Sequence, residues 1–123
     1  MISEQLSFLP DSLPDSHPFP PARERTVWNA LPQRVKDRFL KAGEAALAAA
    51  IAPLPLSLWL DFSHTGRRTA WEDAYFSRRA RLCALVCAEC AEHQGRFMDA
   101  IADTAWAICE ESAWQLPAHN SYI

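Results

Sequence analysis

One stretch constrains the fold more than any other. From Thr69 to about His93, Trp71, Tyr75, Leu82, Leu85 and Val86 recur at helical spacing, and Gly95 follows as a left-handed stop. Such a helix is roughly 36 Å long at 1.5 Å per residue, so the rest of the chain has to pack along it. Thr69-Ala-Trp-Glu72 at its start has the pattern of a capping box, in which a hydroxyl and a carboxylate satisfy free backbone N–H groups. A further helix is expected from Phe97 to about Glu111, with Phe97, Ile101, Ala105 and Ile108 on one face. The short link at Gly95 would make the two an antiparallel hairpin. Asp99, Asp103 and Glu110 form an acidic stripe expected to face Arg78 and Arg81 across it, a pairing worth little if exposed.

Upstream, Pro32 suits a first helical position, and Leu31, Val35, Phe39, Ala42, Ala46 and Ala50 recur at near-helical spacing, predicting a helix over Pro32–Ala52. Its run Ala45–Ala52 has high helix propensity and little bulk, which lets a neighbouring helix come close. Pro53 and Pro55 end it. Leu56, Leu58, Leu60 and Phe62 alternate with Ser57, Trp59 and Asp61. That is a strand pattern without a partner strand, so an extended connector is expected, followed by a turn over Ser63–Arg68. Residues 1–22 carry Pro10, Pro14, Pro18, Pro20 and Pro21 and are expected to be an extended lead-in arm, leaving 23–123 as the structured part. The expected fold class is all-α, built from antiparallel helical hairpins.

A chain of 123 residues allows one domain at most. The net charge of −3 supplies no field to collect nucleic acid. No apolar run reaches the ~20 residues a membrane helix needs. The first residues show no basic and apolar signal pattern, and Cys83, Cys87 and Cys90 share one helix where disulfide geometry is poor. Both points favour the cytoplasm, and neither a cofactor nor a metal is expected. Cys83, Cys87 and Cys90 have the spacing of the iron–sulfur ligands in radical-SAM enzymes, but those thiolates sit on a loop wrapped around a cluster. Inside a helix they read as small buried hydrophobes. Arg67, Arg68, Arg78, Arg79 and Arg81 make a basic patch, read as a solvated face paired with carboxylates or as a contact for an anionic ligand.

The chain's last polar stretch carries the richest chemistry. Glu110 and Glu111 oppose the dipole at a helix C-terminus, which calls for a tertiary partner. Ser112-Ala-Trp-Gln-Leu-Pro117 then leads to His119 and Asn120, bringing together an aromatic platform and directional hydrogen-bonding groups of the kind a sugar site uses. The segment Ala105-Trp-Ala-Ile-Cys-Glu-Glu-Ser-Ala-Trp-Gln-Leu-Pro-Ala-His-Asn120 resembles part of the heparinase II/III-like proteins, where a helix ending in Cys-Glu-Glu-Ser leads to a Trp and then Pro-Ala-His. Leu60-Asp-Phe-Ser-His-Thr-Gly-Arg67 and Tyr75-Phe-Ser-Arg-Arg79 resemble earlier parts of the same pattern, so the likeness spans roughly residues 54–120.

The resemblance implies an (α/α) toroid followed by a β-sandwich region, acting as a polysaccharide lyase on uronic acids. In that reaction the carboxylate is neutralised, a base removes the C5 proton and an acid protonates the departing O4. Asn, His and Tyr carry these roles in such lyases. Here His119 precedes Asn120, the reverse of the familiar order, so the catalytic residues are left unassigned. Trp114, His119 and Asn120 are expected to line the cleft or contact an acidic polysaccharide, with Glu110 and Glu111 in support. A toroid needs on the order of ten helices in a domain of ~250–300 residues, and this chain supplies about three and some short pieces. The chain is therefore expected to be an N-terminal fragment, inactive alone and prone to self-association through exposed helix faces. The alternative is a small helical interaction module without catalysis, for which Trp114→Ala should weaken partner binding and His119→Ala should not. A hydrolase would need acids facing each other across a cleft, whereas Glu110 and Glu111 are sequence neighbours.

Overall fold

A computed structural model describes residues 19–119. Most of the proline-rich arm, together with Asn120, lies outside the described residues. Every regular element among them is helical. The elements are α1 (Arg25–Asn29), α2 (Gln33–Ala48), α3 (Leu56–Thr65), α4 (Thr69–Glu92), α5 (Met98–Cys109) and a 3-10 turn (Pro117–His119). None of these helices is long and apolar enough to cross a membrane.

Helix α4 is the axis of the structure, and its most extensive contact is with α2. Leu85, Ala88, Phe97 and Ala100 form the core, with Leu40, Ala46 and Ile101 against it. The close approach expected from the alanine run is set chiefly by Gly43. A Cβ there would overlap the Cβ of Ala88 and stand 3.3 Å from Phe97 Cε1. The ring of Phe97, fully buried, fills the space that the missing side chain leaves.

Helix α2 ends at Ala48, short of the expected Ala52, and Ala49 is already extended. Its last carbonyls are captured from α4. The Arg81 guanidinium donates through Nη1 to Ala46 O and, at 2.6 Å, to Ala49 O. A cation at a helix C-terminus satisfies carbonyls that a further helical turn would otherwise bond. Arg25 does the same for α4, donating to Cys90 O at 2.6 Å and Ala91 O at 3.1 Å.

The expected extended connector over Leu56–Phe62 is instead helix α3. Leu58, Trp59 and Phe62 are the half-buried apolar residues, and their spacing is helical, while Leu56 and Leu60 face outward. The alternation was a coincidence of leucine placement. Pro55 sits just before the first turn, where its missing N–H costs nothing. The expected turn over Ser63–Arg68 shrinks accordingly: α3 continues to Thr65, and Gly66 ends it at φ 76° with its N–H on Phe62 O.

The capping box does not form. Arg68 occupies the cap position, Thr69 is already helical, and no side chain caps the helix. The link from α4 to α5 uses two left-handed residues, His93 at φ 58° and the expected Gly95 at φ 80°. The Glu89 carboxylate, buried beneath it, accepts from Gly95 N at 2.7 Å and Phe97 N at 3.3 Å. A buried acceptor facing free amides before a helix fixes the entry to α5. Beyond it, Arg81 Nε donates to Thr104 Oγ1 and Arg78 Nη1 to Ala107 O, so falling numbers on α4 meet rising numbers on α5.

The cysteines are not core residues. Cys83 and Cys109 are exposed, Cys87 and Cys90 are half-buried, and all four are free thiols. Leu85 and Ala88 take the inward side of α4, leaving Cys83, Cys87 and Cys90 on its flank. Burial pushes the Cys87 thiol from 9.0 up to about 11, with Cys83 and Cys90 adding to the rise.

Candidate functional site

Tyr75, Arg78 and Arg79 occupy one face of α4, at the i, i+3 and i+4 spacing that brings side chains together on a helix. They hold the segment that follows α5. Glu111, whose side chain is 2% exposed, lies 2.6 Å from Arg79 Nη2 and 3.2 Å from Arg78 Nη1. Arg79 Nη1 adds a bond to the other carboxylate oxygen at 3.1 Å, so the Arg79 fork is bidentate. This is the tertiary partner that a carboxylate at a helix C-terminus requires. Removing one partner from such a buried pair is costly, because the other charge stays desolvated.

The clamp continues through Tyr75. The Arg79 guanidinium stacks 3.3 Å from the Tyr75 ring centroid, where cation and π-face attract. The Tyr75 hydroxyl donates to Trp114 O at 3.1 Å. Pro117, fully buried, anchors the 3-10 turn, which packs against α3. The stretch from Glu110 to His119 is thus fixed at Glu111, at the Trp114 carbonyl and at Pro117.

Beside the clamp opens a cleft of about 480 Å³, lined by Leu54, Leu56, Trp59, Trp71, Arg78, Ala107, Glu110, Glu111, Ser112 and Ala113. Its walls come from α3, α4 and the end of α5. Trp59 and Trp71 meet edge to face with centroids 5.1 Å apart. Trp71 is buried, and its indole N–H has no hydrogen-bond partner among the described residues. Arg78 is held in place by donating from Nε to Ala52 O at 2.7 Å and from Nη1 to Ala107 O at 3.0 Å.

The expected site residues separate here. Glu110 is exposed on the cleft wall, while Glu111 is spent on Arg78 and Arg79. Trp114 is 63% exposed and His119 is exposed at the end of the 3-10 turn, neither of them among the lining residues. Asn120 lies outside the described residues. The arginine patch also divides. Arg78, Arg79 and Arg81 bond carbonyls, Glu111 and Thr104, while the exposed Arg67 and Arg68 stand 3.4 Å from Asp61 and 3.5 Å from Glu72. The acidic stripe does not meet the arginines as expected. Arg78 pairs with Glu111, one residue beyond Glu110, and Arg81 finds the Thr104 hydroxyl.

Sequence reasoning missed Tyr75, Trp59 and Trp71 as parts of this site. The signal available for Tyr75 was its spacing to Arg78 and Arg79. For the two tryptophans nothing short of the helical state of 56–65 could bring them together. No family model matches the chain, and no curated protein matches it.

Proposed function

We propose that this chain supplies part of the helical toroid of a heparinase II/III-like polysaccharide lyase, acting by β-elimination on a uronic-acid polymer and inactive by itself. One observation carries the proposal most. The segment that resembles the family, Cys109 to His119, is clamped against α4 and borders a cleft with two tryptophans, a guanidinium and two carboxylates. Sugar sites combine apolar ring faces with a few oriented polar groups in this way. The opposed numbering of contacts between α4 and α5 supports an antiparallel hairpin as the repeated unit of the toroid.

In β-elimination a base takes the C5 proton, the electron pair forms a C4=C5 double bond, and O4 leaves with a proton from an acid. The base and acid are left unassigned on this chain. Glu111 is excluded from acid–base work by its two guanidinium partners; it positions the loop. The test is to express the complete reading frame containing this chain and follow ultraviolet absorbance of unsaturated uronate on acidic polysaccharides. Sustained absorbance growth is expected; a folded protein inert on every uronate polymer would sink the proposal.

A second function class has one supporting observation. Trp106 and Leu56 are each 68% exposed, and Met98 and Phe76 are about half exposed. Exposed apolar groups of this size suit contact with another protein surface, whether further helices of a toroid or a separate partner. Analytical ultracentrifugation of the chain alone measures the resulting association.

A further inference from the structure

We infer that the cleft between α3, α4 and the end of α5 is a binding site for a small organic cation, an amine carried on an apolar ring. Glu110 meets the ammonium, and Trp59 and Trp71 enclose the ring. The site stands apart from the lyase proposal, because Trp114 and His119, which that reading sets against the polymer, are not among the residues lining it.

The charges lining the cleft point to a cation. They are two carboxylates and one guanidinium. Arg78 and Glu111 answer each other at 3.2 Å, and at 12% and 2% exposure their side chains present little to an incoming group. Arg78 also donates to Ala52 O and Ala107 O. Arg79, the second partner of Glu111, is not a lining residue and lies on the Tyr75 ring. Glu110 is left: an exposed carboxylate on the wall, with no ion-pair partner among the described residues.

The rest of the lining calls for an apolar body. Trp59 and Trp71 meet edge to face, and Leu54 and Leu56 extend their wall. Trp59 is only half-buried, so part of its ring stays open, and indole faces attract ammonium groups. Trp71, at 6% exposure, leaves its indole N–H without a partner among the described residues, an unmet donor that an ether or carbonyl oxygen on the ligand would satisfy. The volume of about 480 Å³ suits one ring with a short side chain. Other occupants fit less of this. An anion would meet Glu110 with Arg78 already engaged, and a neutral ring would strip water from Glu110 and give nothing back. A bare metal ion finds no group of three or more His, Cys, Asp or Glu side chains among the described residues.

The experiment titrates three probes into the chain: 2-phenoxyethylamine, 2-phenoxyethanol and phenoxyacetate. They share a ring and an ether oxygen and end in an ammonium, a hydroxyl and a carboxylate. Binding is followed by the NMR signals of the tryptophan indoles. Those of Trp59 and Trp71, identified with Trp59→Phe and Trp71→Phe, should shift with the amine while those of Trp28 and Trp106 stay. The amine should bind about tenfold more tightly than the alcohol, the low end for a hydrogen bond between charged groups because Glu110 is exposed. The carboxylate should bind most weakly. Glu110→Gln should bring the amine and the alcohol to one affinity. The ranking of the three probes needs no variant, so it decides even where Glu110→Gln misfolds. Equal affinity for amine and alcohol, tightest binding by the carboxylate, or no binding of the amine would each overturn the site. So would shifts at Trp28 or Trp106 in place of Trp59 and Trp71, or a preference for the amine that survives Glu110→Gln. None of these outcomes turns on whether the complete reading frame carries out elimination.

Discussion

The Glu111 carboxylate meets the Arg79 guanidinium two to two, Nη2 to Oε2 at 2.6 Å and Nη1 to Oε1 at 3.1 Å, with the acid side chain almost wholly out of solvent. The pair joins the end of α5 to the middle of α4. Through Tyr75, under the same guanidinium, it also fixes the backbone at Trp114. The segment from Glu111 to Trp114 is held against α4 by this joint.

Glu111→Gln should therefore destabilise the chain by about 3 kcal/mol, the lower end for a broken buried pair, because Arg79 keeps 27% exposure and can rehydrate. Urea unfolding measures the loss. Hydrogen exchange should quicken at Ser112–Ala118 and stay slow around Leu85 and Ala88. Uniform quickening across both regions would show that the joint has no local role.

Tyr75→Phe removes only the hydroxyl that meets the Trp114 carbonyl and should cost about 1 kcal/mol. Tyr75→Leu loses the cation–π contact as well and should cost about 1 kcal/mol more. Equal stabilities for the two variants would mean that the ring contributes nothing to holding Arg79.

Gly43→Ala tests the approach of α2 to α4. Helix propensity alone would make alanine better by about 1 kcal/mol. The new methyl overlaps the Ala88 Cβ, however, and both atoms are bound to backbone that cannot turn aside. Overpacking of this kind costs about 1–3 kcal/mol, so the net effect in thermal or urea unfolding should be a loss. A more stable Gly43→Ala chain would show that the helices separate freely.

Cys87 gives a pH signature. Its thiol titrates at about 11 in the folded chain against 9.0 for the ordinary group, chiefly through burial. Between those values the unfolded chain has released a proton that the folded chain keeps, so stability falls as pH rises through that window. Cys87→Ala should flatten the stability profile there by comparison with the parent chain. An unchanged slope would contradict the assignment. Cys83 and Cys109, being exposed, should be alkylated before Cys87 and Cys90.

How much of this was legible in the sequence differs by element. The long helix over 69–92 and its successor were plain from periodicity, because amphipathic helices this long repeat their pattern many times. Helix α3 was not: Leu56, Leu58, Leu60 and Phe62 at every second place over its first seven residues satisfy a strand pattern, and only packing of Trp59 and Phe62 against the rest decides. The end of α2 was equally hidden, since the capture of Ala46 and Ala49 by Arg81 joins residues far apart in the chain. For the site, Glu111 was marked by its unfavourable place at a helix end, but the identity of its partners was not. Cys83, Cys87 and Cys90 misled, because free cysteine is usually buried and here it lies beside the core face.

The measurement that bears most directly on the lyase proposal is the mass of the products. The complete reading frame containing this chain, incubated with uronic-acid polysaccharides, should release oligosaccharides whose new non-reducing ends lack one water relative to hydrolysis, since elimination adds none. Products carrying that water at every new end would contradict the proposal, as would an intact polymer after incubation with folded protein.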